Sequence, residues 1–128
     1  MVYRRHLILI VDRDQAVRDS LQFALQLEGL SVRVYRGGLG LLADPELPLA
    51  RCLILDDRNP CMDGFALLGQ IAARQINLPS ILLTSHATSR VKARASAAGV
   101  RMVMEKPLLD NALVDNIRMI LGSDAAGP

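Results

Sequence analysis

Two aspartates follow the first apolar run of the sequence, and an arginine separates them. The segment reads LILIVDRDQAV, so Asp12 and Asp14 flank Arg13 directly after five apolar residues. Carboxylates at the end of a buried strand are typical of a site for a metal ion or a phosphoryl group. A guanidinium in the middle of such a site is unexpected, because it has five donors and no acceptor with which to ligate a cation.

Residues of related chemistry follow three further apolar runs. Asp56 and Asp57 follow the third run, Thr84 follows the fourth and Lys106 follows the fifth. Acids that hold a cation and supply an oxygen nucleophile, with a hydroxyl and an ammonium group that bind the transferred oxygens, would suit phosphoryl transfer. Each residue alone has an ordinary structural explanation, as a helix cap or a loop charge. Their shared position after strands favours a site.

Short apolar runs alternate with helical patterns along the chain. The runs lie at 7–11, 31–35, 52–55, 80–83 and 100–104. Most are apolar throughout, as in parallel strands that are covered on both faces. Gly29 and Gly99 are placed to end the first and fourth helices, and the weakest helical pattern lies at 37–43, where three glycines occur. The alternation predicts a parallel α/β sheet with helices on both faces and its chemistry at the carboxyl ends of the strands.

Length and composition predict one domain with an aliphatic core. The chain has 128 residues, of which 51% are hydrophobic and 3% aromatic. No apolar run approaches the ~18 residues that a membrane span needs, and the first run is too short for a signal peptide, so we expect a cytoplasmic protein. The net charge of +2 does not by itself indicate nucleic acid. Cys52 and Cys61 form no C-x-x-C motif, and we expect two reduced thiols.

The order of the candidate residues resembles the receiver domain of two-component response regulators. The most specific segment is LILDDRNPCMDGFALL, in which Asp56 is followed four residues later by Pro60 and eight residues later by Gly64. This spacing is similar to that of the family's phosphoacceptor loop. The segments SILLTSHA (80–87) and AAGVRMVMEKPL (97–108) are similar to the family's fourth and fifth strands, the second including a cis proline at Pro107.

The resemblance covers about residues 5–121 and implies a fold. It implies a flavodoxin-like (βα)5 domain, with a doubly wound five-stranded parallel sheet in the order 2-1-3-4-5. Residues 1–121 are then the receiver domain, and residues 122–128 are a flexible tail or the start of a linker. The same resemblance implies no enzyme activity beyond self-catalysed phosphoryl transfer onto Asp56.

The resemblance also implies roles for the candidate site residues. Asp56 is the phosphoacceptor, and Thr84 and Lys106 contact the oxygens of its phosphoryl group. Asp12 is the first acid of the pocket, and Asp57 lies beside the phosphoacceptor. The phosphoryl group would come from a sensor histidine kinase or another phosphodonor.

Arg13 departs from the family pattern, in which a second acid occupies this position. The resemblance implies Mg²⁺ bound by Asp12, Asp56 and the backbone carbonyl of Arg58. A guanidinium repels the cation and supplies no ligand, so we expect the Mg²⁺ site to be weak or absent and Arg13 to replace the ion by pairing with an acid. The alternative is that Arg13 turns outward and that Asp14 or water completes the metal shell.

Val103 departs from the pattern as well, and it alters the expected output face. The family has an aromatic switch residue at this position of the fifth strand. Signalling is expected through the fourth helix, fifth strand and fifth helix, with a possible homodimer through residues 88–121 and a possible DNA-binding output domain beyond Pro128. Opposite charges on this face suit a dimer: Arg90, Lys92, Arg94 and Arg101 against Asp110 and Asp115.

Three alternatives stay open from the sequence. One is a pseudo-receiver that acts without phosphorylation, as an interaction or dimerisation module. Another is a haloacid-dehalogenase-like phosphatase, although its threonine and lysine should precede the second acidic pair, whereas here they follow it. The third is a dinucleotide site at GLGLLA (38–43), which follows the second predicted strand instead of the first.

Overall fold

Five parallel strands form one sheet in the computed structural model of the chain, which describes residues 6–58, 62–108 and 111–125. The strands are β1 (Leu7–Val11), β2 (Ser31–Tyr35), β3 (Cys52–Asp56), β4 (Ser80–Thr84) and β5 (Met102–Glu105). Their order is β2-β1-β3-β4-β5, and all neighbouring pairs are parallel. The predicted order is confirmed.

Helices cover both faces of the sheet. They are α1 (Gln15–Leu27), α2 (Gly38–Leu42), α3 (Gly64–Ala73), α4 (Ser89–Ala97) and α5 (Ala112–Ala125), with a 3-10 turn at Leu47–Leu49. Leu25 of α1 and Ile117 of α5 pack in the core on one face. Leu41 of α2, Leu67 of α3 and Ala95 of α4 pack in the core on the other face. The sheet is therefore doubly wound, as expected for strands that are apolar on both sides.

The three central strands carry the buried part of the sheet. Every residue of β3 and β4 is buried, as are four of the five residues of β1, whereas the edge strands β2 and β5 are only partly covered. The polar side chains at the ends of the central strands are buried too, namely those of Asp12, Asp56 and Thr84. Burial of charged groups at this edge is costly unless they are paired, so their partners decide what the edge does.

Two glycines end helices in the left-handed conformation. Gly29 has a φ of 82° after α1 and Gly99 has a φ of 83° after α4, and only glycine adopts such values without strain. After Gly99, the N–H of Val100 still donates to the carbonyl of Ala95 at 3.0 Å, so this residue belongs to the helix cap. The predicted fifth strand at 100–104 therefore began too early, and β5 starts at Met102.

A hydrogen-bonded group, here named the β2-edge cluster, joins β2 to the loop after α2. It consists of Arg33, Tyr35, Asp44 and Glu46. Arg33 Nη1 donates to both carboxylate oxygens of Asp44, at 3.0 and 2.9 Å, and Arg33 Nη2 pairs with Glu46. The Tyr35 hydroxyl also donates to Asp44, and the N–H of Glu46 donates to Asp44 Oδ1 at 2.8 Å.

The structure also places the end of the last helix and one of the two cysteines. The helix α5 reaches Ala125 and so includes the first residues of the segment predicted as a tail. Cys52 is buried in β3, whereas Cys61 and Pro60 lie outside the described residues. Across the described part of the chain, every helix is too short or too polar to span a membrane.

Candidate functional site

Polar side chains converge where β1, β3 and β5 end. Asp12 is 0% exposed and Asp56 is 3% exposed. Lys106 Nζ contacts both: it lies 2.8 Å from Asp12 Oδ2 and 3.4 Å from Asp56 Oδ2. The parallel sheet thus brings residues from three separate parts of the chain into one acid pocket, because the carboxyl ends of its strands share an edge.

Asp12 is fixed by local bonds as well as by Lys106. The N–H of Asp14 donates to Asp12 Oδ1 at 2.9 Å, and Arg18 Nη1 donates to the backbone carbonyl of Asp12 at 2.7 Å. Asp14 itself caps α1, since its Oδ1 accepts from the N–H of Ala16 at 2.9 Å. The sequence between β1 and α1 therefore holds the Asp12 carboxylate in one orientation toward β5.

Arg13 approaches the second acid of the pocket. Its Nε lies 3.8 Å from Asp56 Oδ2, and its side chain is 55% exposed. The N–H of Arg58 donates to the other oxygen, Asp56 Oδ1, at 3.3 Å. Asp56 is thus approached by a guanidinium, an ammonium and a backbone N–H, with the guanidinium at ion-pair distance and half in solvent.

The balance of charge in the pocket shifts the pKa of two groups. Burial and the neighbouring carboxyl of Asp57 raise the pKa of Asp56 to about 6, against the opposing effects of the Arg58 N–H and Lys106. Burial lowers the pKa of Lys106, but its hydrogen bond and ion pairs with Asp12 and Asp56 outweigh this, so the net shift is upward. Burial therefore makes ionisation of Asp56 costly despite its positive neighbours.

Thr84 and Asp57 form a separate pair beside this pocket. Thr84 Oγ1 donates to Asp57 Oδ2 at 2.9 Å and accepts from the N–H of His86 at 3.2 Å. Thr84 and Asp57, both predicted as site residues, thus contact each other at the ends of β4 and β3. What the sequence did not indicate is that the second acid of the Asp-Asp pair holds the threonine.

Gly64 lets the start of α3 pack against the backbone of the acid pair. A Cβ at this position would lie 2.6 Å from the carbonyl oxygen of Asp56 and 3.2 Å from the Cα of Asp57. The N–H of Gly64 also donates to the carbonyl of Asp57 at 3.0 Å. The spacing from Asp56 to Gly64 that was noted in the sequence therefore has a steric reason, because any side chain would push the loop away.

The end of β5 positions Lys106 through its backbone. The N–H of Lys106 donates to the carbonyl of Thr84 at 2.8 Å, and the peptide bond between Lys106 and Pro107 is cis, as expected. Glu105 Oε1 accepts from the N–H of Ala87 at 2.9 Å. The sequence analysis did not single out Arg18 or Glu105, although Glu105 directly precedes Lys106 and Arg18 lies in the helix that follows Asp12.

Mg²⁺ prefers a shell of oxygen ligands, and receiver domains generally bind it in this acidic pocket. The position expected to hold a second acid carries Arg13, and Lys106 already occupies Asp12 Oδ2 at 2.8 Å. Among the residues that the structure describes, no three His, Cys, Asp or Glu side chains are grouped so that they could hold a metal ion. The positive groups near the carboxylates of Asp12 and Asp56 are therefore side chains of the protein itself, namely those of Lys106 and Arg13.

Known proteins of similar sequence were compared with this chain. The profile of the response regulator receiver domain matches residues 8–118. Transcriptional regulatory protein FixJ of Azorhizobium caulinodans is 34% identical over 117 residues, which are 91% of this chain and 55% of FixJ. C4-dicarboxylate transport transcriptional regulatory protein DctR of Rhodobacter capsulatus is 40% identical over 108 residues, which are 83% of this chain and 55% of DctR. The chain thus spans about half the length of these relatives.

A solved structure gives the same result for the fold. The crystal structure of FixJ-N superimposes with a TM-score of 0.79 at 32% identity, covering 92% of this chain and 94% of that chain. The sheet order, the buried acids at the ends of β1 and β3, and the lysine before a cis proline all lie within the matched range. The chain belongs to the response regulator receiver domain family.

Proposed function

We propose that this chain is a cytoplasmic receiver domain of a two-component phosphorelay and that Asp56 accepts the phosphoryl group. The observation that carries the proposal is the surroundings of Asp56. This carboxylate is buried at the end of β3, and Lys106 Nζ at 3.4 Å and Arg13 Nε at 3.8 Å both approach its Oδ2. An oxygen nucleophile beside two cations suits attack on a phosphoryl donor, because the cations stabilise the charge on the transferred oxygens.

The proposal assigns Arg13 the role of a counter-ion in place of magnesium. A guanidinium cannot ligate a metal, and its charge disfavours a cation a few ångströms away. We therefore expect weak Mg²⁺ binding at Asp12, Asp56 and the Arg58 carbonyl. Lys106 and, after reorientation, Thr84 would bind the phosphoryl oxygens. No enzyme activity is proposed beyond this self-catalysed transfer.

The partners follow from the family and from the lengths of the relatives. The phosphodonor would be a sensor histidine kinase or a small acyl phosphate. FixJ and DctR are named transcriptional regulatory proteins and are roughly 1.5 to 1.7 times as long as this chain, which supports a DNA-binding output domain beyond Pro128. We further propose that the domain signals to its partners through residues 88–121, including through a homodimer. Val103 has no aromatic ring, so it cannot act as the aromatic switch of this face.

The basic side chains of the α4 face have unequal freedom to contact a partner. The guanidinium of Arg94 lies 4.2 Å from the centre of the Phe65 ring on α3, so it is held by a cation–π contact. Arg90 and Lys92 are exposed on the same helix. Asp110, one of the acids expected opposite them, lies outside the described residues, and Asp115 is exposed on α5. A dimer through this face would rest on the contacts of Arg90, Lys92 and Arg101, which is also exposed.

The test is labelling with acetyl phosphate, followed by intact mass spectrometry, with and without Mg²⁺. We expect the mass of one phosphoryl group on the native chain and none on Asp56→Asn. We also expect Mg²⁺ to change the labelling rate of the native chain little and that of Arg13→Asp strongly. Labelling that persists in Asp56→Asn, or native labelling that depends steeply on Mg²⁺, would contradict the proposal.

A second candidate is a receiver that acts without phosphorylation, as an interaction module. The specific observation in its favour is that the chain supplies partners for its own acids, with Lys106 Nζ at 2.8 Å from Asp12 and Thr84 Oγ1 at 2.9 Å from Asp57. Such a pocket is stable without a ligand. Absence of native labelling together with recovery of labelling in Arg13→Asp would favour this candidate over the first.

A further inference from the structure

The single proton of the Thr84 hydroxyl is used by a carboxylate other than that of Asp56. Thr84 is 1% exposed at the end of β4, and its Oγ1 lies 2.9 Å from Asp57 Oδ2 and 3.3 Å from the carbonyl of His86. A hydroxyl donates only one hydrogen bond at a time. The carboxylate is the closer acceptor and it is charged, so it is the stronger one. Thr84 therefore donates to Asp57.

Backbone bonds hold both partners of this hydrogen bond in place. The N–H of Asp57 donates to the carbonyl of Leu83 at 3.3 Å, and its own carbonyl accepts from the N–H of Gly64 at 3.0 Å. The N–H of His86 donates to Thr84 Oγ1 at 3.2 Å. The carboxylate and the hydroxyl are thus carried by segments that are themselves anchored to β4 and α3. The bond is a built feature of the fold and not a chance surface contact.

We propose that Asp57 is a positioning residue that withholds the Thr84 hydroxyl from Asp56, so that this hydrogen bond must break before Thr84 can bind a phosphoryl group. The inference rests on the proposed phosphorylation of Asp56. In that reaction an Asp56 oxygen attacks the phosphorus of an acyl phosphate, the bond from phosphorus to the acyl oxygen breaks, and the carboxylate leaves with its electron pair. The product is a mixed anhydride on Asp56, and no proton is transferred.

Two costs arise for the phosphorylated state. Thr84 must turn away from Asp57, which loses a hydrogen bond to a charged acceptor. The Asp57 carboxylate then lies unpaired next to the new phosphoryl charge, and like charges in a half-buried site repel. Replacing Asp57 removes both costs, whereas replacing Thr84 removes only the first. This difference separates an effect of the hydrogen bond from an effect of charge.

The first experiment is a double-mutant cycle on labelling by acetyl phosphate. We expect Asp57→Leu to raise the labelling rate about tenfold, which corresponds to ~1.4 kcal/mol. In the Thr84→Val background the same change should raise the rate less than about threefold, because only the charge effect is left. Asp57→Asn should fall between the native chain and Asp57→Leu, and it replaces Asp57→Leu in the cycle if that variant does not fold. Equal gains in both backgrounds would overturn the inference.

A matched control removes the same charge elsewhere. Asp115 is exposed on α5, and Asp115→Asn should leave the labelling rate within about twofold of the native rate, since exposed charges interact weakly. A tenfold gain from this control would show that net charge alone governs the rate, and the inference would fail.

The second experiment needs no phosphodonor, so it distinguishes failure of this inference from failure of the proposed function. In methyl-labelled protein, three-bond couplings report the χ1 angle of Thr84 by NMR. We expect one rotamer in the native chain and averaging among rotamers in Asp57→Leu. If no variant can be phosphorylated, the proposed function fails. The couplings still show whether Asp57 holds the Thr84 side chain in one rotamer. Unchanged couplings in Asp57→Leu would overturn the inference, and averaged couplings would support it.

Discussion

The acid pocket and the β2-edge cluster use the same residue types to opposite effect. In the β2-edge cluster the hydrogen bonds of the Tyr35 hydroxyl and the Glu46 N–H, with Arg33 adding to them, lower the pKa of Asp44 to about 2. In the acid pocket burial and the neighbouring Asp57 raise the pKa of Asp56 to about 6. Each site has an arginine, but only Arg33 makes two short bonds to its acid, at 3.0 and 2.9 Å.

The difference lies in how closely the donors approach each carboxylate. Asp44 accepts from a guanidinium, a hydroxyl and a backbone N–H, so its charge is stabilised where it stands. Asp56 has a backbone N–H at 3.3 Å and two cations at 3.4 and 3.8 Å, so its charge is only partly compensated. Asp44 is thus stabilised in its charged form, whereas the raised pKa of Asp56 is a perturbation of the kind found at functional sites.

Removal of the shared ammonium should have the largest effect on the pocket. Lys106→Met keeps the aliphatic stem but removes the ammonium that pairs with two buried carboxylates, so we expect the free energy of unfolding to fall by about 3 kcal/mol near neutral pH. Urea denaturation followed by circular dichroism measures this change. Lys92→Met on the exposed side of α4 is the control and should change stability by less than about 0.5 kcal/mol. Equal losses from the two variants would mean that the pocket pair is not stabilising.

The two aspartates should give stability curves of opposite slope with pH. The pKa of Asp56 is raised from 3.8 to about 6 in the folded state, so the native chain binds more protons between these values and its stability falls as pH rises through them. The free energy of unfolding of Asp56→Asn should therefore rise relative to that of the native chain. We expect a relative rise of about 2 kcal/mol as the pH increases from 3.8 to about 6. Asp44 contributes stability that is present above its unfolded pKa and is lost as pH falls from 3.8 toward about 2. Urea titrations across this range would contradict the comparison if Asp56→Asn and the native chain ran parallel.

Two glycines on α3 should respond to alanine with opposite signs. At Gly64 the added methyl group would lie 2.6 Å from the carbonyl oxygen of Asp56, and we expect a loss of about 1.5 kcal/mol and reduced labelling of Asp56. At Gly69 no atom lies within 4 Å of the added group, and we expect a gain of up to about 1 kcal/mol, because alanine favours helix. Thermal unfolding of the pair measures both. A gain at Gly64 would show that the loop does not need this close approach.

Loss of one donor from the β2-edge cluster should have the smallest effect. Tyr35→Phe removes the hydroxyl that donates to Asp44, and we expect a loss of about 1 kcal/mol near neutral pH. The loss should shrink in acid, because the pKa of Asp44 in the variant lies closer to its ordinary value. The control is the same substitution in the Asp44→Asn background. There, loss of the Tyr35 hydroxyl should lower the free energy of unfolding less, because its charged acceptor is gone. A loss that is the same with and without the Asp44 carboxylate would indicate a packing effect instead.

Much of this fold follows from local sequence features, and part of the site does not. Apolar runs bounded by Gly29 and Gly99 predict the strands and helix ends, because backbone conformation there depends on a few neighbouring residues. The convergence of Asp12, Asp56 and Lys106 follows from the parallel sheet. The Asp57–Thr84 bond does not follow, since the direction of each adjacent carboxylate depends on how the backbone leaves β3. The exposure of Arg13 is likewise a balance between pairing and hydration that spacing alone does not fix.

The positive charge of Arg13 is covalently part of the protein, whereas a metal ion has to be taken up from solution. A bound ion has a dissociation constant, so its occupancy follows the concentration outside and can be lowered by a chelator. A guanidinium tethered one residue from Asp12 has neither property, although its half-exposed pairing with Asp56 at 3.8 Å should weaken as the salt concentration rises. This positive charge is therefore encoded in the sequence and is not drawn from the solution.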